Sequence, residues 1–363
     1  MPVADPARLG EERAWLSVYT SRCGGGDGRG LERFLPAERT AWYGYGRQAL
    51  AAALLRAGVR PGDRVLLPGF ICRDALAGLA AAGAAPAFYA VDERLCADLA
   101  SVEREGAAGA RAVVAVNYFG FPQPLGRLRA WCRAQGAALI EDNAHGFLSA
   151  DADAPLGLRG DLGVFSLRKT LSLPNGAALV DCRDGAAAEA AAGRLELPRA
   201  LERRYRMKDA LKQLMRAGGL RGASAMISGV RRLKRANPNA APAVERMGDP
   251  ETAMPRAACS PLVAQLLRRC DVGAEQARRR RLYDLCRQRL GGVPGVEPLF
   301  GERPEGVAPY GFPFRFTGGE PAAFLTRWRR RGIEIIAWPD LPSAVQPHAP
   351  PHYRRVMLVS FLW

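Results

Sequence analysis

At 363 residues, 48 % of them hydrophobic, the chain can bury a substantial core, and one large plus one small domain is the natural expectation. No apolar run reaches the ~18 residues of a membrane-spanning helix, and the N-terminus MPVADPARLGEERAW lacks the basic-then-apolar order of a secretory signal, so a cytoplasmic location is expected. The formal net charge of +16 points to an anionic partner, either nucleic acid or phosphorylated small molecules.

Much of that charge lies in Arg203–Lys234 and in the runs Arg278–Arg281 and Arg329–Arg331, which read as solvated helix faces. The eight cysteines are scattered without CxxC spacing, which fits reduced thiols better than a disulfide framework or a zinc site.

Residues 1–41 form a loop-rich N-terminal segment with the turn sequence CGGGDGRG. From Trp42 a regular rhythm begins. The glycine turn YGYG opens an alanine-rich helix, RQALAAALLRAG, with Leu50, Leu54 and Leu55 at helical spacing. RVLLP is a short apolar strand, followed by a helix over about residues 72–82 and a second strand, PAFYAV. A helix around Leu95–Glu105 leads to the strand RAVVAVN, and LGRLRAWCRAQG is an amphipathic helix stopped by glycine. AALIED, LGVFSL and GAALVDC supply three more strands. Apolar strands alternating with helices predict an α/β domain with a mostly parallel central sheet covered on both faces.

The large domain is assigned to residues 42–260, its strand rhythm ending near residue 190 and a basic helical stretch following. Residues 261–363 read as a small C-terminal α+β domain. It has a long helix through Ala277–Leu290, strands at VPGVEPLF, GFPFRF and IEIIAW, and a helix, PAAFLTRWRRRG, before the last of these.

Of the 52 basic residues only Lys169, Lys208, Lys212 and Lys234 are lysine, so each one raises the question of what arginine could not do in its place. One answer is to form a Schiff base, which needs a deprotonatable primary amine. Lys169 follows the strand LGVFSL, and Asp142, Asn117 and Ser166 also stand at carboxyl ends of strands, where open α/β sheets collect ligands. His145 lies three residues beyond Asp142. The other three lysines lie among arginines in a basic stretch and read as a wet face.

Gly44–Ala49 matches the dinucleotide pattern G-x-G-x-x-A, but ERTAWY before it is a poor strand, and Asp63 sits in a PGD turn before the next strand. A single phosphate at the helix N-terminus is the better reading, because free backbone N–H groups point there.

The order GRQAL, PGDRVLLPGF, GAAPAFYAVD, VVAVNYFGFP, LIEDNAHG and GDLGVFSLRK, over roughly residues 42–185, resembles the DegT/DnrJ/EryC1/StrS family of fold-type-I pyridoxal-phosphate-dependent aminotransferases. The resemblance implies pyridoxal 5'-phosphate as cofactor, with Lys169 as its Schiff-base lysine. Asp142 would pair with the pyridine nitrogen and His145 would lie beside the ring. Ser166 would help to hold the phosphate, together with the turn Gly46-Arg47-Gln48. Asn117 stands where the family commonly has histidine. Cys72, with Ile71, stands where it tends to show a threonine and a ring-bordering aromatic, leaving His145 to serve as the stacking partner.

The segment from Phe165 to Lys169 is shorter than in the family, and the segment that builds the neighbouring subunit's site has no clear counterpart. The implied function is ping-pong amino transfer to a keto-sugar nucleotide or a related biosynthetic intermediate, with glutamate or glutamine as donor, in a homodimer. Two other readings stay open: a different reaction on the same cofactor (dehydratase, lyase or condensation), and a basic binding protein on a degenerate enzyme fold.

Overall fold

The computed structural model describes residues 25–152, 154–184, 199–217, 249–330 and 335–361. The basic stretch beyond residue 217, with Lys234, lies outside the described residues. Five strands come first: β1 (Thr40–Tyr43), β2 (Arg64–Pro68), β3 (Ala85–Tyr89), β4 (Ala112–Val116) and β5 (Ala138–Asp142). A two-residue ladder, β6 (Ala150–Asp151) with β7 (Ala154–Pro155), precedes β8 (Leu162–Phe165) and β9 (Ala177–Asp181). Apart from that ladder these strands make one seven-stranded sheet in the order β1-β9-β8-β5-β4-β2-β3. The pairs from β3 to β8 are parallel, and β9 and β1 close one edge antiparallel. All five residues of β4 are buried, as a strand covered on both faces requires.

The helices packed with this sheet are α1 (Gly46–Arg56), α2 (Leu76–Ala82), α3 (Leu99–Gly106) and α4 (Leu125–Gln135). In α1, Leu50 and Leu54 are buried as their spacing predicts, whereas Leu55 turns to solvent. α3 begins four residues later than its apolar pattern suggests. Leu95 takes a left-handed φ of 61°, and the Asp98 carboxylate then caps the helix by accepting from Ala100 N. α4 ends at Gly136, whose φ of 63° suits glycine.

Beyond the sheet come α5 (Arg199–Ala217), α6 (Pro261–Leu267), α7 (Val272–Leu290) and α8 (Pro321–Arg330). A four-stranded antiparallel sheet joins β10 (Val296–Pro298), β11 (Gly311–Phe316), β12 (Ile335–Ala337) and β13 (Val356–Ser360), in the order β10-β11-β13-β12.

Three readings of the sequence change here. ERTAWY, a poor strand by pattern, pairs as β1 along β9, with Trp42 exposed on this edge of the sheet. The run Arg278–Arg281 is not a wholly wet face, because Arg278 and Arg279 are buried against Glu275. VMLVS, which is not among the expected strands, is β13, an inner strand of the small sheet. A single apolar cluster runs through both sheets, from Val65 and Val113 to Phe312 and Leu358.

Candidate active site

The chain leaves β2 toward β3 on one side, while β4 on its other side leads on to β5 and β8, so the strand order reverses beside β2. Ligands of open α/β sheets bind at the carboxyl ends of strands at such a reversal. A cleft open to solvent at its mouth lies there. Val116 at the end of β4, Asp142 at the end of β5 and Ser166 just after β8 all line it. Ile71 and Cys72 enter from the turn after β2, and Tyr45, Gly46 and Arg47 from the start of α1.

Lys169 closes a single turn of 3₁₀ helix, Leu167–Lys169, held by Lys169 N donating to Ser166 O at 3.0 Å. This tight turn is how the short Phe165–Lys169 segment delivers an amine to the cleft. Lys169 Nζ lies 3.4 Å from His145 Nε2. Burial holds the His145 imidazolium well below the ordinary value, and the Lys169 charge adds to this, so His145 is neutral. Its Nδ1 is buried without a partner among the described residues. Asp142 Oδ1 accepts from Ala144 N at 2.9 Å. Burial pushes the Asp142 carboxyl above its ordinary value, and the Lys169 ammonium pulls it partly back. A buried carboxylate in this condition gains from a cation set against it. Burial likewise raises the Cys72 thiol, which keeps it a neutral lining group.

Gly46 starts α1 with its backbone beside Ser166, where a Cβ added to it would come 3.5 Å from Ser166 Cβ. The first turn of α1 contains no acidic residue. Its Arg47 is paired with Asp74 at 2.9 Å and donates to Ala253 O at 2.9 Å. Arg168 lies over the Tyr45 ring, 5.4 Å from its centroid, with Nε buried and without a hydrogen-bond partner among the described residues. The positive end of a helix, with a guanidinium close by that has no carboxylate partner among the described residues, is a place built for an anion.

Two of the residues expected to hold a cofactor are placed elsewhere. Asn117 does not line the cleft. Its amide donates to Glu141 Oε2 at 3.0 Å and its carbonyl accepts from Arg159 Nη2 at 2.8 Å. That network exists because Glu141, fully buried next to Asp142 and facing the other way, must satisfy its charge with Arg159 and with the N–H of Gly160. Gln48 is likewise committed, donating to Pro255 O at 2.7 Å while its Oε1 accepts from Tyr45 N at 2.9 Å. Gln48 therefore shapes the turn from inside the protein.

His145 is not a free stacking surface either, because Tyr310 lies parallel to it at 4.3 Å with an interplanar angle of 4°. Trp338 lines the cleft and meets the His145 ring edge-on at 5.2 Å. Tyr310 and Trp338 arrive on loops of the C-terminal region, and nothing in their local sequence announces it. Arg168 does carry a signal in the sequence, its place beside the one lysine that follows a strand.

Residues 29–219 match the DegT/DnrJ/EryC1/StrS aminotransferase family. The chain belongs to this family. It is similar to GDP-perosamine synthase of Vibrio cholerae, 28 % identical over 195 residues that cover 51 % of this chain and 53 % of that one. It is also similar to L-glutamine:2-deoxy-scyllo-inosose aminotransferase of Streptoalloteichus tenebrarius, 33 % identical over 36 % of this chain and 31 % of that one. The matches thus span about half of the first relative's length and about a third of the second's. Among solved structures, the aminotransferase TlmJ from Streptoalloteichus hindustanus superposes with a TM-score of 0.61 at 22 % identity, covering 99 % of this chain and 91 % of that one. The fold is that of the fold-type-I pyridoxal-phosphate enzymes.

Proposed function

We propose that this protein is a pyridoxal-phosphate-dependent aminotransferase that moves the amino group of glutamate or glutamine onto a ketone of a sugar nucleotide or a related polyhydroxylated intermediate. The observation that carries this reading is the amine of Lys169 in one cleft with the buried carboxylate of Asp142 and the anion-ready start of α1. The names of the relatives, a perosamine synthase and an inosose aminotransferase, support the donor and the acceptor class.

The residues present fit the cofactor. Asp142 is a desolvated carboxylate suited to a protonated ring nitrogen. Gly46, Arg47, Ser166 and Arg168 line the same cleft and would take the phosphate, and Lys169 offers the amine. When bound, pyridoxal phosphate supplies an aldehyde that bonds amines and a ring that takes up electrons as a carbon loses its proton.

The remaining work falls to the chain. Lys169 Nζ, once uncharged, is the base that carries a proton at the reacting carbon, a role no guanidinium can take and one worth about 10²–10⁴-fold in rate. Neutral His145 Nε2 sits within reach to orient that amine. Tyr310, Phe119 and Trp338 pack around the imidazole and keep water from it. A homodimer with the cleft near the subunit boundary is part of the proposal.

The reading is tested by loading the purified protein with pyridoxal phosphate and adding glutamate or glutamine without an acceptor. We expect stoichiometric loss of the cofactor's visible band and release of the matching keto acid. A cofactor band that neither donor alters would replace amino transfer with another reaction on the same group.

A further inference from the structure

The helix α7 lies far along the chain from the lysine turn, yet it supplies a fully buried cation to it. Arg279 has no solvent exposure. Its Nε donates to Glu275 Oε1 at 2.8 Å, and its Nη1 donates to Pro309 O at 3.0 Å and to Tyr310 O at 3.3 Å. Nη2 donates to the carbonyl of Thr170, the residue that follows Lys169. Burial lowers Arg279 to about 10, with Glu275 opposing, so the guanidinium stays charged at neutral pH.

One rigid fork therefore holds both sides of a single contact. On one side is the turn that carries Lys169. On the other is Tyr310, whose ring lies on His145 and whose N–H is fixed to Phe119 O at 2.8 Å. Lys169 Nζ and His145 Nε2 meet between these two anchors at 3.4 Å. An ammonium at position 279 has the charge but not the planar set of donors that reaches separated carbonyls. Arg278 provides an internal comparison. It shares Glu275, through Nε at 2.8 Å, but extends to Phe361 O instead of the lysine turn.

We propose that Arg279 is a positioning residue that sets where the Lys169 amine lies against His145. This rests on the reading of Lys169 as the reactive amine. Asp142 at the end of β5, His145 in the turn after it and Cys72 after β2 face Lys169, Tyr45, Arg47, Asp74 and Arg168 line the same cleft, and the variants below leave all of them intact.

The experiment compares Arg279→Lys with Arg278→Lys. In cofactor-free protein, acetylation of Lys169 is followed against pH by peptide mass spectrometry, and melting temperatures are taken alongside. In loaded protein, kcat and the donor KM are measured. Both variants are expected to lose stability, but only Arg279→Lys should shift the pH midpoint of Lys169 acetylation. It should also lower kcat by about 10²-fold with KM little changed, as expected for a misplaced reactive group.

Equal midpoints in Arg279→Lys and wild type, or equal shifts in both variants, would overturn the proposal. Should Arg279→Lys not fold, Tyr310→Leu takes its place. That variant keeps the carbonyl contacts and removes the ring from His145, and the midpoint must then move as well. Because acetylation is read without cofactor, failure of the protein to bind pyridoxal phosphate would count against the proposed activity and leave this result standing.

Discussion

His145 combines a neutral ring, a buried Nδ1 without a partner among the described residues and an aromatic neighbour on its face, and these properties have a measurable cost in acid. Its folded-state value lies well below the ordinary 6.5, so below that pH the unfolded chain binds a proton that the folded chain refuses. Stability from this residue is complete above 6.5 and is lost as pH falls beneath it. Asp142, raised by burial, works in the opposite sense nearer to the ordinary carboxylate range. We expect thermal melts of the cofactor-free protein between about pH 7 and pH 5 to show a clear loss of stability, and His145→Gln to remove that part of it. A variant whose melts fall as steeply as those of the wild type would contradict a neutral His145.

At the scale of elements, the start of α1 separates stability from function. Gly46 does not have a left-handed φ, and an added Cβ would meet Ser166 at an ordinary 3.5 Å, so alanine fits. Gly46→Ala should stabilise the protein by about 0.4–1 kcal/mol by restricting the unfolded chain. Its methyl would project toward Ser166, beside the proposed phosphate place, so affinity for pyridoxal phosphate should fall while affinity for pyridoxal does not. Equal affinities for pyridoxal phosphate in variant and wild type would remove the phosphate from this turn.

The same element shows what pattern could and could not reveal. Strands β2, β4, β5, β8 and β9 were legible because each is a short apolar run between breakers. β1 was not, because as an edge strand it leaves Trp42 exposed and lacks a continuous apolar signal. Arg278 and Arg279 defeated the charge-run rule because their partner, Glu275, lies one helical turn earlier in α7, which was expected to start only near Ala277.

Over the whole molecule, the apolar cluster that spans both sheets argues against independent halves. Tyr353 of the C-terminal region accepts from Val91 N at 2.9 Å, and Tyr310 N donates to Phe119 O, so the regions share buried hydrogen bonds as well. We expect calorimetry to show one cooperative transition, whereas two resolved transitions would mean that the large and small domains unfold separately. The candidate site follows the same logic. Asp142, Ser166 and Lys169 were legible as cleft residues because they stand at, or just beyond, the carboxyl ends of β5 and β8. Tyr310 and Trp338 were not, because only the packing of the second sheet brings Trp338 to the cleft and Tyr310 onto the His145 ring.

The central claim is that Lys169, placed beyond β8 and against His145, is the amine that bonds the cofactor. It is tested by treating the protein with pyridoxal phosphate, reducing with borohydride and locating the added mass by peptide sequencing. A single adduct on Lys169, and none in Lys169→Arg, is expected. An adduct of equal yield on another lysine, or one that persists in Lys169→Arg, would contradict it.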